Sequence, residues 1–364
     1  MSHAGTTVRS VVVRCVDAPM KMPLHTSVKA LTSAPLVLVD LMTSAGTVGR
    51  AYLFAFTRDN LRPIAALVET MGQMIVGDAT APYDIERKLR QRYALLGVHN
   101  IVLMAMAGID VAAWDACAQE ANLPLACMLG GTVRPMRAYN SKGLGIMPVA
   151  ALAENAEALV AEGFDAVKLR LGRPQALDDV AAVRAVKKAV GPDVTLMVDF
   201  NQALTLNEAI RRGRLLDDEG GLLWIEEPIR ADDFDGNAHV ARALSTPLQI
   251  GENFMGPEQM AQALAARACD FVMPDLERIG GVTGWMRAAA LAQAAGCEMS
   301  SHLFPEVSSH LLAVTPTCHW LEYVDWAAPV LEEPLAVRDS HVVPRAVPGH
   351  GMRWDEHAVN KYAV

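Results

Sequence analysis

The spacing of apolar positions changes twice along the chain. From about residue 5 to 60, apolar and polar residues alternate in "TTVRSVVVRCV" and "PLVLVDLMTSAGTVGRAYLFAF". That is the period of antiparallel strands, with "TSAG" as a hairpin turn. From about 60 to 130 the spacing becomes helical, in "NLRPIAALVETMGQMIVG", "DIERKLRQRYA" and "IVLMAMAGIDVAAWDACAQEA". The third is the longest apolar run, but Asp110, Asp115 and Glu120 interrupt it, so it predicts a buried helix. "GGTVRP", residues 130–135, is a turn-rich boundary.

Beyond the boundary, short strands alternate with amphipathic helices. The predicted strands are "MRAYNSKG", "DAVKLRLG", "TLMVDFNQ", "LLWIEEP", "LQIGEN", "FVMPDLERIGG", "EMSSHLF" and "HWLEY". Their starts recur roughly every 20 to 31 residues, the period of a βα unit. Eight such strands predict an α/β protein with a TIM-type (β/α) barrel. An open doubly wound sheet would need an early glycine-rich phosphate loop, and none is found. The tail returns to strand-like text in "EEPLAVRDSHVVP". The expected organisation is an α+β domain over 1–132 with the segment 330–364 packing back on it, and a barrel over 133–329.

In "DAVKLRLG", Val167, Leu169 and Leu171 alternate with Lys168 and Arg170. A barrel strand is covered by helices on its outer side, so the two cations must face the interior. Chemistry in such barrels sits at the C-terminal strand ends. Here those ends form a polar ring: Ser141, Lys168, Arg170, Asp199, Asn201, Glu226, Glu227, Glu252, Asn253, Asp275, His302 and Glu322. So many carboxylates held together repel one another and require positive charge. Asp199, Glu226 and Glu252 come from three successive strands, a hard-oxygen set suited to Mg²⁺. No histidine or cysteine joins them, which disfavours zinc. Taken singly, each reads equally well as a helix N-cap.

Composition narrows the partners. The 364 residues are 52% hydrophobic with a formal net charge of −9, which argues against a nucleic-acid partner. Six cysteines without paired spacing read as reduced thiols in a cytoplasmic setting. The N-terminus carries no apolar h-region, so no signal peptide and no membrane association are expected.

The series "VKLRLG", "VDFNQ", "WIEEP", "GEN", "PDLERIGGVTGW" and "SSHLF…HWLE" resembles the enolase superfamily, and within it the mandelate racemase subgroup. "PLHTSV", "APLVLVDL" and "TSAGTVG" extend the likeness to nearly the whole chain. The resemblance implies a modified (β/α)7β barrel under an α+β capping domain, a homo-oligomer, and Mg²⁺-assisted removal of the proton alpha to a carboxylate. Lys168 and a protonated Glu322 would then stabilise the enediolate, and His302, oriented by Asp275, would be the base on one face. Ser141 and Asn201 are expected substrate contacts. So are Leu24 in the flap "MPLHTSVKAL", where Val28 and Leu31 are also apolar, Phe56 in place of the family tyrosine, and Val324 after Glu322. Lys142 is a candidate for a second substrate carboxylate.

One departure matters. The family racemase has lysine at both positions of "KxK", and its second lysine is the opposite base; this chain has Arg170 there. Arginine does not ordinarily lose its proton. Three outcomes stay open: racemisation of a small 2-hydroxy acid, dehydration of a sugar acid with His302 as sole acid–base group, and a barrel that binds a carboxylate without turnover. The Asp275–His302 dyad argues against the last, since binding alone needs no base.

Overall fold

The computed structural model describes residues 5–27 and 29–364; Val28 of the flap lies outside the described residues. The first domain opens with an antiparallel sheet in the order β1 (Val8–His25), β2 (Ala30–Thr43), β3 (Val48–Phe54). Helices α1 (Leu61–Ile75), α2 (Pro82–Arg92) and α3 (Ile101–Glu120) follow, and α1 and α3 pack on the sheet. By length and hydropathy α3 could cross a membrane, yet 83% of its apolar window is buried inside the protein. Gly49 explains its close approach to β3, because a Cβ there would lie 1.9 Å from the carbonyl oxygen of Ala112. A short α4 (Leu125–Met128) leads out of the domain.

Eight parallel strands come next: β4 (Met136–Asn140), β5 (Ala166–Arg170), β6 (Thr195–Asp199), β7 (Leu222–Glu226), β8 (Leu248–Ile250), β9 (Phe271–Val272), β10 (Glu298–Met299) and β11 (Leu321–Tyr323). Seven helices connect them: α5 (Val149–Ala161), α6 (Ala176–Val190), α7 (Leu206–Glu219), α8 (Phe234–Ala243), α9 (Pro257–Ala266), α10 (Gly281–Ala295) and α11 (Pro305–Ala313). Neighbours in sequence are neighbours in the sheet, and β11 pairs with β4. The hydrogen bonds Met299 N–H to Thr317 O and Ser301 N–H to Trp320 O, 2.8 and 3.0 Å, close β10 onto β11. This is the (β/α)7β barrel, since no α-helix follows β11 directly.

A small hairpin, β12 (Val337–Arg338) and β13 (His341–Val342), adds antiparallel to β4. The last residues, including α12 (Glu356–Lys361), reach the first domain. Trp354 Nε1 donates to Asp40 at 2.7 Å, and Asp17 N–H donates to Tyr362 O at 2.9 Å.

Two features bring the domains together over the barrel mouth. The β1–β2 tip docks on the barrel loops: Ile146 N–H donates to His25 O at 2.5 Å, and Ser27 Oγ to Phe200 O at 3.0 Å. Gly145 permits this, because a Cβ would lie 2.6 Å from that same His25 oxygen. On the far side, Asp110 of α3 meets the start of α10, accepting from Thr283 N–H at 2.9 Å and Thr283 Oγ1 at 2.5 Å. Burial pushes the Asp110 carboxyl up to about 7 despite these bonds.

Candidate active site

Strand register builds the site. Arg170 lies beside Asp199, and Asp199 beside Glu226, across β5, β6 and β7. All three point inward because they share the parity of Lys168. Beneath them Tyr139, Ala166, Met197, Trp224 and Trp320 form an apolar floor inside the barrel. Charges set above such a floor see little water, so their mutual interactions are strong.

Lys168 Nζ lies 2.5 Å from Glu226, 2.8 Å from Glu322 and 3.5 Å from Asp199. Burial alone would lower its pKa, but Glu226 and Glu322 raise it well above the ordinary lysine range, so the ammonium stays charged. Asp199, Glu226 and Glu252 each offer an oxygen, and the three lie within 4.8 Å of one another. Burial and the neighbouring Asp199, Glu322 and Glu252 push Glu226 up to about 8 even against Lys168. A cluster that repels itself this strongly, built only of hard oxygens and open to a cavity, fits a small divalent cation. Around it, Asn253 Nδ2 donates to both oxygens of Glu227 at 2.9 Å, and Asn201 donates to Asp199 from N–H and Nδ2 at 2.7 and 3.0 Å. Glu227 and Asn201 hold positive φ of 37° and 44°, a conformation that non-glycine residues adopt sparingly and mainly at sites.

Across the mouth, His302 Nδ1 lies 2.7 Å from Asp275 Oδ2. Asp275 Oδ1 accepts from the backbone N–H of Glu277 and Arg278 at 2.9 and 3.1 Å, which fixes the carboxylate. The Asp275 contact sets Nδ1 as the protonated nitrogen and leaves Nε2 facing Glu252 at 3.3 Å and Glu322 at 3.8 Å. Burial would lower the imidazole pKa, but Glu252, Glu322 and Asp275 carry it up to about 10. A cation shared by Glu252 would weaken the largest of these pulls.

Glu322 departs from expectation. The sequence suggested a raised pKa among other acids. Burial does act in that direction, but Lys168, His302 and Arg170 outweigh it and hold the carboxyl well below the ordinary range. Its oxygens accept from Ser141 Oγ at 2.6 Å and Leu303 N–H at 3.0 Å.

Arg170 is fastened. Nη1 donates to the carbonyls of Ser141 and Gly143 at 2.8 and 3.1 Å, and Nη2 donates to Ser141 Oγ at 2.8 Å. Its buried Nε makes no hydrogen bond and lies 4.0 Å from Asp199.

Lys168, Arg170, Asp199, Glu252, His302 and Glu322 line a cavity of about 280 Å³ together with Leu24, Thr26, Lys29, Leu31, Phe54, Phe56, Asn201, Arg278 and Trp326. Several expected contacts lie elsewhere. Ser141 is fully buried and does not line the cavity; it holds Glu322 and Arg170. Val324 packs in the core, because β11 ends at Tyr323 and the turning chain presents Trp326 instead. Lys142 is spent on Glu162 at 2.6 Å and Asp325 at 3.2 Å, so it is not free for a substrate carboxylate. The sequence reading missed Arg278 and Trp326 as cavity residues. Arg278 lies three residues beyond Asp275, a position that the barrel rule for strand ends points to.

A capped (β/α)7β barrel with converging carboxylates, an inward lysine and an Asp–His pair defines an enzyme of the enolase type. Residues 8–130 match the mandelate racemase / muconate lactonizing enzyme N-terminal domain, and residues 151–358 match the enolase C-terminal domain-like family. The chain belongs to the enolase superfamily, in its mandelate racemase subgroup. It is 32% identical over 335 residues to L-talarate/galactarate dehydratase of Salmonella typhimurium, covering 91% of this chain and 83% of that protein. A magnesium-bound enolase from alpha-proteobacterium BAL199 is 44% identical with a TM-score of 0.96, over 99% of this chain and 100% of that one. A Bradyrhizobium enolase complexed with magnesium and mandelic acid is 41% identical with a TM-score of 0.94, over 100% of this chain and 99% of that one.

Proposed function

We propose that the protein removes the proton alpha to the carboxylate of a small 2-hydroxy acid, with racemisation as the overall reaction. One observation carries this: His302, Lys168 and Arg170 line a single cavity that also presents Leu24, Leu31, Phe54, Phe56 and Trp326, beside polar side chains such as Thr57 and Gln202. The apolar side chains accept an aryl or alkyl group, and a hydroxyl buried against them would go unpaired at about 1–3 kcal/mol. The mandelic acid held by the Bradyrhizobium relative supports the same substrate class.

Asp199, Glu226 and Glu252 would hold Mg²⁺, which when bound would supply positive charge to a substrate carboxylate. The Lys168 ammonium lies beside the same carboxylate and stabilises the charge that develops there. His302 Nε2 takes the proton, and Asp275 holds the tautomer and steadies the imidazolium. Glu322 is ionised before substrate arrives. A substrate carboxylate that engages Lys168 weakens that pull and adds a negative charge, and both effects raise Glu322 toward a proton that it can share with the enediolate. Arg170 approaches from a different strand, and its unpaired Nε–H is the donor for the second face. Transfer from a guanidinium to a carbanion is downhill, because the carbon acid is far weaker.

Dehydration is the second reading. It is favoured by the three hydrogen bonds that fasten Arg170 to Ser141 and Gly143, since an arginine does not ordinarily give up its proton, which leaves His302 as the group able to cycle easily. A D₂O incubation with Mg²⁺ and a panel of 2-hydroxy acids and sugar acids, followed by NMR, tests both. Alpha-deuteration with inversion supports racemisation. Appearance of a 2-keto-3-deoxy acid would replace it with dehydration, and no Mg²⁺-dependent exchange on any acid would overturn both.

A further inference from the structure

The cavity wall carries a group that an apolar substrate would not use. Arg278 follows the Asp275 loop, and its guanidinium carbon stands 4.5 Å from the centroid of the Phe56 ring. Nη1 donates to Asn253 Oδ1 and, at 3.4 Å, to Glu252 O. Among the described residues, Nε and Nη2 make no hydrogen bond. The side chain is only partly buried and lines the cavity, so these donors face whatever enters it.

Phe56 is held in place at a cost. Its φ is +58°, unusual for a bulky aromatic residue. Its ring packs 4.6 Å from Phe54, and Lys29 Nζ lies 3.5 Å from its carbonyl oxygen. The aromatic face supports a planar cation in a fixed orientation, which lowers the entropy lost when the guanidinium grips a ligand. Lys29 lines the same cavity and adds a second positive charge at its rim. Lys168 and the carboxylates Asp199, Glu252 and Glu322 line the same cavity, with Leu24, Leu31 and Trp326 among its apolar side chains.

We propose that Arg278 is a specificity-determining residue and that the preferred substrate is a dicarboxylate: a 2-hydroxy acid whose apolar body ends in a second carboxylate gripped by Nε and Nη2 of Arg278. This rests on the function proposed above and narrows it, because the body stays aryl or alkyl while its far end becomes anionic. A guanidinium and a carboxylate form two parallel hydrogen bonds, and such charge-assisted pairs discriminate by about tenfold or more against a ligand that leaves them unmade.

Mandelate and 4-carboxymandelate share one reacting centre and differ at the far end, so they are the probes. Calorimetric binding with Mg²⁺ and alpha-proton exchange in D₂O are measured for wild type, Arg278→Met and Arg278→Lys. The wild type should favour 4-carboxymandelate at least tenfold. Arg278→Met should cut the Kd and kcat/KM advantage of the diacid to within about twofold of mandelate, and Arg278→Lys should restore part of it. Equal loss for both ligands would make Arg278 a mere support of Asn253 and Glu252, and an absent wild-type preference would remove the subsite; either overturns the proposal. Selective binding of the diacid without exchange of either ligand would leave the subsite standing and refute the proposed chemistry instead.

Discussion

Arg170→Lys is the perturbation that reaches deepest into the chemistry. Racemisation joins two species of equal free energy, so its kcat/KM must be equal in both directions. One direction starts from neutral His302 and a charged Arg170. The other starts from an imidazolium and a neutral guanidine. An ordinary guanidinium holds its proton far above neutral pH, so at pH 7.5 its neutral form is about 1 part in 10⁵ or less, a deficit of ~7 kcal/mol. With encounter at ~10⁹ M⁻¹ s⁻¹, that fraction caps racemisation near ~10⁴ M⁻¹ s⁻¹ in both directions. Exchange with retention on the His302 face escapes the cap, because it never calls for neutral Arg170.

Lysine ordinarily titrates near 10.4, about two pH units lower, so Arg170→Lys should raise the cap about 100-fold. The assay follows each enantiomer of the substrate in D₂O by NMR and chiral chromatography. In wild type, the enantiomer presenting its proton to His302 should deuterate much faster than it inverts, and its mirror image should deuterate slowly. The variant should narrow that gap, and its inversion rate should climb with pH. Equal deuteration of both enantiomers by wild type would refute the reasoning. So would a folded Arg170→Lys variant that keeps exchange on the His302 face yet inverts no faster.

Other expectations follow from single contacts. Glu226→Gln removes a buried carboxylate from the proposed cation site, so calorimetric Mg²⁺ affinity should fall at least tenfold, and EDTA should abolish exchange in wild type until Mg²⁺ is restored. His302→Asn should lower alpha-proton exchange by about 10²–10⁴ while circular dichroism stays native; undiminished exchange would place the base elsewhere. The Asp110 carboxyl is raised from 3.8 to about 7, so the fold favours its protonated form. Its contribution is complete below pH 3.8 and is lost as pH rises through 7, by at most ~4 kcal/mol at about 1.4 kcal/mol per pH unit. Asp110→Asn should therefore raise Tm most at pH 8.5 and by less than half as much at pH 5; an equal shift at both would disprove the assignment.

The architecture is legible in the sequence because the barrel strands are short and each of β4 to β10 is followed by a helix. Alternation in "DAVKLRLG" fixes which way Lys168 and Arg170 point, and the strand-end rule gathers Asp199, Glu226 and Glu252 from three separate stretches. What spacing does not carry is the choice of partner within the cluster. Lys142 and Lys168 are both buried lysines of the barrel, yet one turns to Glu162 and Asp325 and the other to Glu226 and Glu322. That choice decides whether a cation serves a substrate or a helix. Val324 was misplaced for a similar reason: alternation holds only while the strand lasts, and β11 ends at Tyr323.

Glu322 and Arg170 carry the point furthest. A carboxyl among carboxyls reads as one with a raised pKa, and the conclusion reverses once Lys168 lies 2.8 Å away. Arginine in place of the second lysine reads as a lost base. The structure adds that the guanidinium is tied to Ser141 and Gly143 through two nitrogens while the third stays buried and unpaired beside the cavity. An unmade hydrogen bond at a buried nitrogen costs about 1–3 kcal/mol, and this one belongs to a residue that lines the cavity. We propose substrate as the partner for Nε, which would keep Arg170 in the reacting machinery whichever way the exchange experiment divides racemisation from dehydration.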